Sequence, residues 1–325
     1  MTATPRNWRG VRPVTGPLAA TVSDIGALNE VFAEAFTDRY RRDGMTGVRV
    51  PPLNPAIWRY AIEDAGDGAL CWRDDRGRIV AFNMVHHSGA EGWMGPLCVR
   101  PEHQGSGLGK TIVVAGQRWL EQHGADVIGL ETMPRTMDNI GFYSGLGFVP
   151  GPLTITLMLD ARAEPVAPVL MSRLSGFERD DATEGCRALT ESVAPRYDFT
   201  REIELTEKLS LGDTILLGPI KAPIGFALCH LAPLVEGRVR DELRVLKLVL
   251  AHRADMPELV RHTCEHARRS GARRVAFRVQ GVYTDVYRTL VQMGARVRWT
   301  DLRMSVHGWT ERTPSEGMVL SNWEI

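Results

Sequence analysis

Val99-Arg100-Pro101-Glu102-His103-Gln104-Gly105-Ser106-Gly107-Leu108-Gly109-Lys110-Thr111 is the stretch on which the reading of this chain turns. A strand runs into it from Trp93 and ends at Val99. A helix leaves it, with Ile112, Ala115, Trp119 and Leu120 on one apolar face and a stop near Gly124. The first turn of a helix has amide N–H groups with no partner and carries the positive end of the helix dipole. Glycines at positions 105, 107 and 109 remove the side chains that would keep a bulky anion from those amides. Lys110, just inside the helix, adds a positive charge. The segment therefore reads as a cradle for a diphosphate.

Two common phosphate loops do not fit. A Walker A loop needs a glycine five positions before Gly109, where this chain has Gln104. A Rossmann fingerprint built on Gly105 and Gly107 would put its third glycine at Lys110. Past the helix, Val127 to Thr132 reads as a buried strand and Asp138 to Leu146 as a short helix stopped at Gly147. That helix carries Asp138-Asn139-Ile140-Gly141-Phe142-Tyr143-Ser144-Gly145-Leu146-Gly147-Phe148. The loop resembles motif A of the GCN5-related N-acetyltransferases (GNAT), Gln/Arg-x-x-Gly-x-Gly/Ala, and the later segment resembles their motif B, Asn-x-x-x-Tyr before a Gly-Phe turn. The resemblance covers roughly Ala19 to Asp160.

The resemblance implies acetyl-CoA as cosubstrate, with no metal. It places the coenzyme pyrophosphate on the backbone of Gln104, Gly105, Ser106, Gly107, Leu108, Gly109 and Lys110. It implies that the pantetheine arm pairs with the backbone of Leu97, Cys98 and Val99, between two strands that splay apart. Asn139 would contact the coenzyme. Tyr143 would be the general acid for the departing sulfur, since a phenol is close enough to a thiol in pKa for proton transfer. The carboxylate that many family members carry on the strand before the loop is missing, because Trp93 to Val99 contains none. Glu131, on the next strand, is the best remaining base, followed by Glu91, His86 and His87. The acceptor pocket would lie along residues 36–62, with Tyr40, Trp58 and Tyr60 as aromatic walls.

Upstream, Ser23 is placed to cap a helix whose apolar positions are Leu28, Val31, Phe32, Ala35 and Phe36. Leu70 to Trp72 and Ile79 to His86 read as a hairpin turning at Asp75-Arg76-Gly77. Leu153 to Leu159 should close the sheet. The second half repeats this plan. Gly124 and Gly147 recur at Gly271 and Gly294, a constant offset of 147, and Asp138 falls on Asp285. The strand ending at His86 recurs in the one ending at His230. The glycine loop does not recur: Leu246 to Leu250 runs into Ala251-His252-Arg253-Ala254-Asp255-Met256-Pro257, and Tyr143 becomes Leu290.

The expected fold class is mixed α/β, α+β-like: two tandem GNAT-type folds, each a mostly antiparallel sheet splayed at the coenzyme site and flanked by helices. Residues 1–162 would form the catalytic domain, residues 169–325 a degenerate copy with a C-terminal tail, and Ala161 to Pro168 the linker. Trp309 and Trp323 suggest that the tail docks.

Composition narrows the partners. Lys plus Arg and Asp plus Glu both number 39, so no overall charge draws the chain to nucleic acid or an anionic membrane. The five cysteines form no CxxC pair, which argues against a disulfide framework or thiolate metal site. Met1 to Pro17 lacks the apolar core of a signal peptide, and no apolar run approaches the ~20 residues of a membrane span. The expectation is a cytoplasmic N-acetyltransferase, moving acetyl from acetyl-CoA directly to a primary amine of a small molecule or peptide. A homodimer is compatible with the sequence. The alternative is a non-catalytic acyl-CoA sensor.

Overall fold

Thr21 and Asp24 cap each other reciprocally where the first long helix begins, in the place expected for Ser23. The computed structural model describes residues 13–324; the segment read above for a leader lies, up to Arg12, outside them. The first half runs β1 (Val14–Ala19), α1 (Ile25–Arg42), α2 (Pro55–Ala65), β2 (Ala69–Asp74), β3 (Ile79–Ser88), β4 (Glu91–Val99), α3 (Leu108–Gln122), β5 (Val127–Thr132), α4 (Met137–Ser144) and β6 (Phe148–Asp160). The second half follows the same course. It runs β7 (Val169–Leu170), α5 (Gly176–Val193), α6 (Thr200–Lys208), β8 (Gly212–Leu217), β9 (Gly225–His230), β10 (Glu242–Leu250), α7 (Met256–Arg269), β11 (Arg274–Gln280), α8 (Thr284–Gln292), β12 (Arg296–Val306) and β13 (Met318–Ser321). The repeat read from glycine spacing is thus a repeat of elements.

All thirteen strands belong to one sheet, in the order β1-β2-β3-β4-β5-β12-β6-β11-β10-β9-β8-β7, with β13 on β10. Only β4/β5 and β10/β11 pair in parallel. The two halves exchange their long C-terminal strands. Leu153 to Leu159 does not close the first half's sheet. It lies in β6, between β12 and β11, while β12 from the second half takes the place beside β5. The reason is in the side chains. Leu157 and Leu159 of β6 sink into the second half's core with Val275 and Phe277. Met304 and Val306 of β12 sink into the first half's core with Ile128 and Leu130. The segment 161–168 therefore connects the halves in sequence, but the sheet does not divide there.

The seam is also ionic. Glu131 of β5, with a side chain 2% exposed, accepts from the Arg303 guanidinium of β12 at 3.0 Å and from that of Arg278 in β11. Thr154 of β6 donates to the same carboxylate. All four strands at the seam thus meet at one buried side chain.

The sheet also shows how the repeat diverges. β4 pairs with β5 from Glu91 to Met94 and then parts from it, while staying on β3 through Val99. Gly95-Pro96 forms the bulge opposite β3, and Pro96 has no N–H to give a ladder. β10 likewise parts from β11 after Arg244. There the gap is filled, because β13 pairs antiparallel with Lys247 to Leu250.

Two outcomes follow from the seam. Residues 13–162 made alone should show no cooperative urea unfolding, because β5 loses its neighbour and Glu131 loses both guanidiniums; a sharp transition would contradict the exchange. Glu131→Gln in the full chain should lower stability by about 3–5 kcal/mol, the cost of leaving buried charges uncompensated, as read by urea denaturation.

Candidate functional site

The glycine loop meets α3 as its sequence requires. Gly105 and Gly107 have φ of +76° and +89°, which only glycine adopts freely, and the space where their Cβ atoms would sit is open. Among the described residues, no protein acceptor takes the amides of Gly105 through Lys110. Six N–H groups thus point out of the loop and the first turn of a fifteen-residue helix. Gln104 ties the loop to its strand by donating from Nε2 to the Val99 carbonyl at 3.0 Å. Ser106 donates to the His103 carbonyl and so shapes the loop from within.

The loop opens onto a cavity of about 790 Å³ in the gap between β4 and β5. Leu97, Cys98 and Val99 line one side, and Glu131, Thr132 and Met133 the other. The β5-facing edge from Gly95 to Val99 has no strand partner, so an extended chain can lie there as an added strand. Asn139 and Tyr143 of α4 also line the cavity. The amide nitrogen of Asn139 reaches the Thr132 hydroxyl at 3.4 Å. Tyr143 is 7% exposed, packs against Phe142 and Phe148, and its hydroxyl has no partner among the described residues. Burial, with Cys98 close by, pushes its phenol well above the ordinary value. Burial alone pushes the Cys98 thiol up, so this thiol stays protonated and unreactive.

The cavity wall carries both signs. Lys110 stands unpaired among the described residues beside the glycine loop, Arg39 and Arg42 of α1 pair with Asp138 and Asp38, and Glu131, Asp301 and Glu324 also line the cavity. The fit for a long cosubstrate with a diphosphate is good: bare amides and Lys110 at the glycine loop, a strand edge from Gly95 to Val99 with no strand beside it among the described residues, and polar side chains beyond.

The structure brings together Gln104, Gly105, Gly107, Gly109, Lys110, Leu97, Cys98, Val99, Asn139, Tyr143 and Glu131 around one cavity, while the Ser106 side chain turns to the His103 carbonyl and that of Leu108 enters the core. Glu131 enters it as a paired ion, its carboxyl held below the usual carboxylate range by Arg278 and Arg303 against the opposing effect of burial. The other base candidates lie elsewhere. Glu91 accepts from Ser321 at 2.6 Å and Trp323 at 2.8 Å, and pairs with Lys247. His86 is fully buried on Asp64 and stacked on Trp93. His87 packs beside Trp119, and burial lowers its pKa.

Of the three aromatics, only Tyr40 reaches the cavity. Trp58 is in the core, where its indole N–H donates to Asn29, and Tyr60 is packed on His230. Helical spacing alone does not say which aromatic faces inward. The arginines at 261, 268, 269, 273 and 274 pair with Glu258, Glu265 and Asp241. Sequence reasoning missed Asp301, Glu324 and the part Trp323 plays, because all three reach the cavity from the second half. The repeat gave only a hint, aligning the strand of Asp301 with the one expected to close the first sheet.

A profile described as the Acetyltransferase (GNAT) family matches residues 29–148. Serotonin N-acetyltransferase 2, chloroplastic, of Oryza sativa subsp. japonica is 31% identical over 41% of this chain and 60% of its own length. The chain spans about half the length of the curated relatives it matches. A Pyrococcus horikoshii protein assigned to the acetyltransferases superposes over 99% of this chain and 98% of its own, with a TM-score of 0.66 at 14% identity. A tandem GNAT protein from the clavulanic acid biosynthesis pathway superposes over 90% of this chain and 98% of its own, with a TM-score of 0.55 at 14% identity. Those identities speak to the fold, which is that of a tandem pair. The profile lies over the glycine loop and α4, so residues 29–148 carry the match to the GNAT family.

Proposed function

We propose that this chain is an N-acetyltransferase that moves the acetyl group of acetyl-CoA to a primary amine. The observation that carries the reading is the parting of β4 from β5 directly ahead of a glycine loop whose amides from Gly105 to Lys110 meet no acceptor among the described residues. The amides of Gly105 to Lys110 hold the diphosphate, and Lys110 adds charge. The backbone of Leu97 to Val99 pairs with the pantetheine arm and fixes the thioester in the gap, which supplies the orientation that acyl transfer requires. A backbone N–H near Val99 faces the carbonyl oxygen, where negative charge develops. Asn139 steadies the arm. Tyr143 donates a proton to the leaving sulfur; burial keeps its hydroxyl protonated through the neutral range, the state a donor needs.

The second half takes no coenzyme in this reading. β13 already fills the gap between β10 and β11, and α7 begins at Met256-Pro257 with no glycine loop before it. Calorimetric titration with acetyl-CoA should therefore give one site per chain, and two equivalent sites would overturn this assignment. Tyr143→Phe should bind acetyl-CoA as the wild type does but turn over at least about tenfold more slowly in a CoA-release assay. If a broad panel of amines shows no turnover with the wild type while acetyl-CoA still raises Tm, the enzyme reading fails and a sensor remains.

A further inference from the structure

Beside the cavity, four carboxylates share two guanidiniums. Arg278 faces Glu131, Asp301 at 3.1 Å and Glu324 at 2.8 Å; Arg303 faces Glu131 at 3.0 Å and Glu311 at 2.7 Å. Asp301 and Glu131 are almost wholly buried, with side chains 4% and 2% exposed. The two buried carboxylates are matched by two buried guanidiniums, and the half-exposed Glu324 adds a negative charge beside them, which favours a further cation or a proton on one carboxyl. Both Asp301 and Glu324 line the cavity, as does Tyr143.

We infer that the acceptor enters as an ammonium ion at this cluster, and that Asp301, carried across the seam on β12, is the base that deprotonates it. This rests on the acetyl-transfer reading above. Glu131 is committed to two arginines and the Thr154 hydroxyl. Glu324 is half exposed, at 51%, and suits holding the incoming cation. Asp301 shares Arg278 with both. It accepts from the Trp299 indole N–H at 3.2 Å and from Arg278, sits across from Thr154 of β6, and has Tyr40 of α1 near enough for their charges to interact.

Burial, and then the Glu324 charge, push the Asp301 carboxyl up to about 7, against the pull of Arg278, with Glu131 raising it further. That is the range in which a base is both present as carboxylate and able to accept a proton at neutral pH. In the step, Asp301 takes one proton from the ammonium nitrogen. The freed lone pair forms the C–N bond to the acetyl carbon as the C–S bond breaks. The sulfur takes the Tyr143 proton, Tyr143 regains one from the nitrogen, and Asp301 releases its own to solvent.

The test is a pH profile of kcat/KM from pH 5.5 to 9, using a primary alkylamine that is a substrate in the amine panel. The wild type should gain activity as Asp301 ionises, with a limb near pH 7. Asp301→Asn should lose at least about tenfold at pH 7 and lose that limb, while acetyl-CoA raises its Tm as it does in the wild type. Asp301→Glu should recover part of the activity. Glu324→Gln, at a half-exposed position, removes a neighbouring negative charge and should move the limb to lower pH; it keeps the idea testable if Asp301→Asn does not fold. A limb unchanged in both Asp301→Asn and Glu324→Gln would overturn the role of Asp301 and leave acetyl transfer standing. Wild-type protein that binds acetyl-CoA yet acetylates no amine would overturn both.

Discussion

The exchange of β6 and β12 is the constraint on which the rest of the molecule depends. Each half alone ends its sheet at an unpaired strand, β5 in the first and β11 in the second. An exposed strand edge is unsatisfied and prone to pairing with other chains. Exchange removes both edges and puts apolar side chains of each strand into the opposite core. The hydrogen bonds of β12 to β5 and β6, and of β6 to β11, tie the halves together more firmly than a side-chain interface would.

Because the strands cross over, so does the chemistry. The first half contributes the glycine loop, the parted strands and α4, but the far wall of its cavity is made by the second. Asp301 arrives on β12, while Trp323 and Glu324 arrive on the tail that follows β13. That tail is seated by the first half in turn. Glu91 accepts from Ser321 and from the Trp323 indole, and the Trp323 ring lies 3.7 Å from the Arg303 guanidinium. Gly129 of β5 must be glycine here, since a Cβ would run into the Trp323 ring. The tail thus fills one gap with β13 and walls the other with its last residues.

The second copy departs from the first in structure as well as in sequence. A strand edge that parts from its neighbour is left with unpaired backbone groups. β13 supplies those partners from within the chain, along Lys247 to Leu250. Lys247 donates to the Ser321 hydroxyl at 2.7 Å and lies near Glu91 and Glu202, whose carboxyl burial raises to about 8. The Arg253 side chain, where the glycine loop would be, donates to the carbonyls of Pro314 and Gly317. The gap that stays open in the first copy is closed in the second by hydrogen bonds within the chain.

By itself the sequence determined what is local. Glycines at 105 and 107, the helix that follows, the Asn139 and Tyr143 spacing, and the absence of a second glycine loop are statements about neighbouring residues. Each acts through backbone conformation or helix periodicity, so each was legible without a structure. The repeat offset of 147 likewise carried over to matching elements in each half. What only the tertiary structure decided is which strand completes which sheet, which aromatics face the cavity, and which carboxylates meet there. Leu153 to Leu159 satisfies the burial pattern of either sheet, and Asp301 and Glu324 are far from Tyr143 in the chain. Their proximity depends on a crossover between two similar halves, and periodicity cannot say which half a strand will join, because both cores accept the same alternation of side chains.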